Sequence, residues 1–287
     1  MKILTELFTL FSAEMTEPAS FGPFHFACVG VMLLLTVITC KAFKNCSDEA
    51  LRRITAFVWI IVLTLEVYKH LVFGFEIEDG RFVWDYPWYI FPFQFCSSPL
   101  YILPIIAFSK REGLRTACIA YMMTFSLFAG LAVFCYPNDV FVETIGINIQ
   151  TMVHHGSQIL MGAFYAVRYR KRFSPKFFMG GVAVFCVMVA IAYALNISAY
   201  HIFPYFGIDE TFNMFYISPY FECTLPLLSI IYGIVPYPVF ACIYIFGFVL
   251  CALIVYTIAR VLVSHVKNED KAVRFGNANR YATRRVC

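Results

Sequence analysis

Two groups of residues carry side chains that can move protons. Glu66, Lys69 and His70 stand at the i, i+3, i+4 spacing of one helix face, and His154 and His155 are adjacent. The first group can neutralise itself as an ion pair, or it can meet a charged headgroup or help in catalysis. The second is harder to assign to packing. Neighbours on a helix point about 100° apart, so both rings cannot face lipid and at least one faces the interior. A carboxylate or an imidazole so placed can serve as a general base. Around these groups fall the amides Gln94, Asn148, Gln158, Asn196 and Asn213, with His25, His201 and Glu222 further out. Gln94 and Asn196 fit equally well as hydrogen-bond glue between helices. The 11 cysteines show no CxxC pair and no metal-type spacing, so the sequence implies no metal and no cofactor. Most read as small apolar packing residues. Cys135 and Cys223 lie toward the same face and could pair.

These residues must be held by membrane helices. The chain is 61% hydrophobic and 14% charged, with a mean hydropathy of +0.73. A soluble domain carries about 25% charged residues. Apolar runs of spanning length occur seven times, at Phe24 to Phe43, Ile54 to Phe75, Trp88 to Phe108, Leu114 to Tyr136, Ile147 to Val167, Phe177 to His201 and Tyr237 to Val263. Of the 22 Lys and Arg residues, all but Lys2, Lys69 and Arg81 fall between Lys41 and Arg53, Lys110 and Arg115, Arg168 and Lys176, or in the tail from Arg260. Basic short loops stay cytoplasmic. The expected fold is therefore an all-α bundle of seven transmembrane helices, N-terminus out and C-terminus in. A net charge of +4 held in such loops reflects topology and headgroup contact, not nucleic-acid binding.

The expected organisation is an outer N-terminal segment over 1–23, the bundle over 24–263 and a basic cytoplasmic tail over 264–287. No cleavable signal is evident. Leu4, Leu7, Phe8, Leu10 and Phe11 recur at helical spacing, which predicts an interfacial helix on the outer surface. Trp84, Tyr86, Trp88 and Tyr89 read as an interfacial aromatic belt. Met214 to Ile234 is apolar but holds Pro219, Glu222 and Pro226. An eighth span there would send the basic tail outside, so the segment reads as re-entrant or interfacial. Irregular backbone at membrane depth needs protein or a water-filled cavity over it. Five spans then bring polar side chains to the same outer depth, which predicts one outward-opening pocket.

Three stretches carry a resemblance: FPFQFCSSPLYI around Cys96, TMVHHGSQIL around His155, and NMFYISP with GIVPYP between Asn213 and Pro238. Their order resembles the YwaF-type bacterial membrane proteins. That family is similar to the eukaryotic multispan acyltransferase that moves polyunsaturated chains onto ether phospholipids. The resemblance implies that Cys96 acts with His155, with His154 as the alternative. A His commonly stands two positions before the Cys in the bacterial members, where this chain has Gln94. Gln cannot shuttle a proton at neutral pH, so that role falls to His70 or His154 if it is needed. A thiol among apolar helices is inert until a neighbouring imidazole takes its proton. The thiolate can then attack a phospholipid ester and pass the acyl chain to a lysolipid, with Gln94, Asn148 or Asn213 as oxyanion donors.

The first functional reading is thus a phospholipid acyltransferase or hydrolase. The second is a transporter or lipid-binding protein that uses the same pocket through Glu66 and His70. The third is a haem protein with two of His70, His154, His155 and His201 as axial ligands. Membrane lipids are the expected partners, with no soluble protein partner evident. Compact loops and the bacterial resemblance point to a bacterial plasma membrane.

Overall fold

A computed structural model describes residues 2–79, 81–137 and 140–283, with side chains described through Ser264 apart from Lys2, Ile3, Leu4 and Leu7. The expected basic tail therefore lies outside the described side chains. The helices are α1 (Lys2–Phe11), α2 (Pro23–Phe43), α3 (Asp48–Gly74), α4 (Pro99–Phe108), α5 (Glu112–Tyr121), α6 (Leu127–Cys135), α7 (Ile145–Arg168), α8 (Pro175–Ile202), α9 (Leu228–Ile231) and α10 (Tyr237–Thr283). Five helical stretches are long and apolar enough to cross a membrane: α2, α3, Glu112–Cys135, Pro175–Phe206 and Tyr237–Ser264. The chain is a multi-pass membrane protein. Two of the seven expected spans do not qualify in this way. Helix α7 has the length, but its Asn, Gln and His residues lower its apolarity.

The other exception is a correction. The run from Trp88 is not one helix. It makes two 3-10 turns, Trp88–Ile90 and Phe95–Ser97, and becomes α-helical only at Pro99. Pro87, Pro92 and Pro99 explain this, because each disfavours helix in the residue before it and lacks a donor. Pro104 lies inside α4 and cannot donate to the carbonyl of Leu100. Trp59 of α3 replaces that donor, with Nε1 at 3.1 Å from Leu100 O. A second departure from the all-α expectation is an antiparallel hairpin, β1 (Phe75–Glu78) with β2 (Arg81–Trp84), in the register Phe75↔Trp84. The hairpin extends α3 past its end.

Helix α7 is the centre of the bundle and packs on α2, α3, α6 and α10. Between α5 and α6 the helix widens into a π-turn, Met122–Ser126, whose five residues are all buried. Such widenings recur at functional sites. Small residues bring α5 against α8. A Cβ added to Gly181 would sit 3.0 Å from the backbone of Ala120 and Tyr121. At the other side of the bundle, α1 ends on α3 through Tyr68 Oη donating to Phe11 O at 2.6 Å. The residues after α1 are tied to the loop before α7 by Met15 N donating to Glu143 O at 2.6 Å. Cys135 and Cys223 are both free thiols, one exposed and one buried, so the pairing considered for them does not form.

The segment 203–236 is mostly irregular, with 3-10 turns at Phe203–Phe206 and Met214–Tyr216 and the short α9. Phe215 and Tyr216 both have positive φ, 58° and 54°. For bulky residues this costs on the order of 1–3 kcal/mol each, and it persists only where the surroundings enforce it. Here Phe215 is fully buried against Phe93 and Phe95, and its carbonyl accepts from Tyr244 Oη at 2.6 Å.

Candidate functional site

Glu66 is the hub of the buried polar residues. It is 3% exposed. Its Oε1 accepts from Lys69 Nζ at 2.6 Å and lies 3.3 Å from His70 Nε2, off the angle of a full hydrogen bond. Its Oε2 accepts from Gln150 Nε2 at 3.2 Å and stands 3.8 Å from His154 Nδ1. The i, i+3, i+4 spacing therefore makes a local ion pair, and α7 joins it. His70 is fixed from the other side by Tyr86, whose hydroxyl lies 3.0 Å from Nδ1 and whose ring stacks on it. Burial, then the nearby Glu66 charge, pushes the Tyr86 phenol up to about 12. It stays a neutral hydroxyl through the physiological range and keeps that hydrogen bond.

Helix α7 presents Gln150, His154 and Gln158 four residues apart, hence on one stripe. All three are buried. His154 Nε2 is 2.9 Å from the backbone carbonyl of Cys96, and Gln158 Nε2 donates to the same oxygen. A carbonyl only accepts, so Nε2 of His154 carries a proton. The 3-10 turn holding Cys96 is thus anchored by two side chains of α7. Without that anchor its carbonyl would lie deep in the bundle with no helical partner. Nδ1 of His154 and Oε1 of Gln158 are buried with no hydrogen-bond partner among the described residues.

His155 is arranged differently. Its Nδ1 lies 2.8 Å from Thr151 O and must donate there, which leaves Nε2 of the neutral ring as an acceptor. Cys96 and His155 are each half-buried. Lys69 and the phenols of Tyr121, Tyr216 and Tyr244 stand within electrostatic range of the Cys96 thiol. A proton acceptor, a thiol and neutral donors are the parts of a nucleophilic acyl-transfer site.

The remaining predicted residues do other work. Gln94 donates to Asn213 O at 3.2 Å and accepts from Phe215 N at 3.0 Å. Asn196 donates to Met214 O at 2.9 Å and accepts from Met214 N at 2.7 Å. Asn213 donates to Glu222 O at 3.0 Å and accepts from Ser218 N at 2.9 Å. These three amides satisfy the backbone of the irregular segment. Asn148 pins the loop before α7, accepting from Val142 N at 2.9 Å and donating to Val142 O at 2.7 Å. It does not join the group around Glu66. His25 is buried among Phe21, Phe26, Phe134 and Phe141, and neither ring nitrogen has a partner among the described residues. His201 lies at the surface beside Tyr220. Tyr86, Tyr121 and Tyr244 belong to the site but carry no signal in a chain with 18 tyrosines. Tyr86 in particular reads from sequence as part of an interfacial belt.

The model of the TMEM164 family matches residues 20–258. No curated protein and no solved structure matches the chain.

Proposed function

The chain belongs to the TMEM164 family, and from that premise we propose that it is a phospholipid acyltransferase that works through a thioester on Cys96. The observation that carries this reading is the anchoring of the Cys96 carbonyl by His154 and Gln158, which brings His154, the neighbour of His155 on α7, against the thiol's own turn. The likeness of the three motif stretches to YwaF-type proteins and to the ether-phospholipid acyltransferase agrees with it.

In this mechanism His155 Nε2 takes the thiol proton, since Nδ1 is committed to Thr151 O. The thiolate attacks the ester carbonyl of a donor phospholipid. A C–S bond forms, and the C–O bond to glycerol breaks. The leaving alkoxide recovers the proton from His155, and a lysolipid departs. The hydroxyl of a second lysolipid then loses its proton to His155 and attacks the thioester. The C–S bond breaks, and the departing thiolate regains that proton. His154 is a positioning residue: it holds the Cys96 turn and links it to Glu66. Tyr121, whose hydroxyl has no hydrogen-bond partner among the described residues, supplies a neutral donor to the oxyanion. Lys69, charge-balanced by Glu66, faces the donor phosphate.

The topology of this reading is seven crossings. The half-helix α4 with its 3-10 turns makes the third, and the polar α7, shielded by its neighbours, makes the fifth. The basic end lies in the cytoplasm. A reporter inserted at Gly207 then reads as external and one fused after Cys287 as cytoplasmic; the opposite result for either overturns the topology.

The activity is tested with purified protein, a labelled donor phospholipid and a lysolipid acceptor. Cys96→Ala abolishes exchange with expression and melting unchanged, whereas Cys118→Ala and Cys251→Ala keep it. Full exchange by Cys96→Ala rules the mechanism out. A second reading, binding or transport of a lipid or small molecule, draws on the two broken segments at one end, 88–98 and 203–236. Such breaks line substrate sites in transporters.

A further inference from the structure

The opposite end of the molecule holds a second feature, which involves neither Cys96 nor the acyl reading. The loops after α2, α4 and α7 meet there around a cavity of about 670 Å³. Seven Lys and Arg line it against two carboxylates, Asp48 and Glu112. A positive-inside topology needs these charges only to be present. It does not require them to converge on one concavity, nor to be fixed in place.

They are fixed. Arg168 Nε donates to Cys46 O at 3.0 Å, and its guanidinium lies over the Tyr169 ring. Arg172 is 3.2 Å from Glu112 Oε1 and lies over the same ring from 5.4 Å. Arg115 is 7% exposed; its Nη2 meets Asp48 Oδ1 at 2.6 Å, while its Nε is buried with no partner among the described residues. A buried, unpaired guanidinium donor beside a net positive cavity calls for an acceptor. A neighbouring cavity of about 660 Å³ shares Glu112, Lys171 and Arg172 with the first. It continues past Gly113, Ala117, Phe177 and Gly180, between α5 and α8. Space is open above Gly113, where an added Cβ would meet nothing within 4 Å. A charged cavity thus runs into an apolar groove between two helices, at the helix ends where headgroups lie.

We propose that this end binds a phospholipid whose headgroup carries two or more negative charges, with the phosphates in the basic cavity and the start of a chain in the α5–α8 groove. A free phosphate compound fits the cavity but leaves the groove unexplained. Basic pockets between membrane helices recognise such headgroups, and each cation near a membrane surface contributes enough to weaken binding roughly fivefold when removed.

The test uses the full chain purified in neutral detergent and native mass spectrometry. The probes are a bisphosphorylated inositol phospholipid, phosphatidylcholine and the soluble inositol trisphosphate headgroup. The expected result is retention of the inositol phospholipid, little phosphatidylcholine, and much weaker binding of the soluble headgroup. Lys110→Gln with Lys171→Gln, both exposed and safe for folding, lowers retention by roughly 25-fold. Arg53→Gln, a basic residue outside the cavity that pairs with Glu49, leaves it unchanged. Arg115→Gln lowers it further if the variant folds. Equal retention of phosphatidylcholine, or an unchanged Lys110→Gln/Lys171→Gln variant, overturns the site. Soluble headgroup binding as tightly as the lipid overturns the lipid assignment.

Discussion

Two polar groups sit close together in the bundle, and they differ in how completely they are satisfied. The amides Gln94, Asn196 and Asn213 each both donate and accept, all on backbone. The group around Glu66 does not close in this way. His154 Nδ1, His70 Nε2 and Gln158 Oε1 are buried without hydrogen-bond partners among the described residues. A buried polar atom left unpaired costs about 1–3 kcal/mol. The amide clamp thus holds a fold together, whereas the histidine group keeps capacity for something that is not part of the fold. The strained pair Phe215 and Tyr216 belongs to the clamp, which explains why that group must be saturated.

The comparison predicts opposite outcomes for the two groups. The largest effect is on rate. His155→Ala lowers acyl exchange by about 10²–10⁴-fold, with the melting temperature nearly unchanged. His154→Ala gives a smaller loss in rate together with a measurable loss of stability, because the Cys96 carbonyl loses an anchor. Exchange assays and thermal melts on the same preparations separate these cases. A His155→Ala variant that unfolds, or one that exchanges at the normal rate, breaks the distinction.

The clamp comes next. Asn196→Ala strands both the N–H and the C=O of Met214 and removes about 2–4 kcal/mol of stability, with digestion beginning in the segment 203–236. Limited proteolysis in detergent reads this directly. A variant with normal stability would mean that water or lipid replaces the amide, and the segment would not then be held as described.

How far sequence reading reached follows the same divide. Charge position located the basic end, because the residues of three separate loops do meet there, as Arg115 with Asp48 and Arg172 with Glu112. Helical spacing found the Glu66 group, since the i, i+3, i+4 rule needs no tertiary information. The expected helix from Trp88 is α-helical only from Pro99 because hydropathy averages over Pro87, Pro92 and Pro99, each of which is visible in the sequence. Gln94 reads from sequence as hydrogen-bond glue between helices, as an oxyanion donor or as a lost proton shuttle. Its actual partners, the backbone of Asn213 and Phe215, lie far along the chain, and no local pattern announces them. The two histidines could not be told apart either. Their hydrogen bonds differ, to Thr151 O for His155 and to Cys96 O for His154, and only the second of these is distant in sequence.

The central claim is that Cys96 carries an acyl group. Incubation with a labelled acyl-donor phospholipid, followed by quenching and peptide mass spectrometry, tests it most directly. The account predicts one hydroxylamine-sensitive acyl adduct, on the peptide containing Cys96, that accumulates when no lysolipid acceptor is present and is lost when acceptor is added. Exchange that proceeds with Cys96 never modified, or an adduct on another cysteine that turns over while Cys96 stays free, would contradict it.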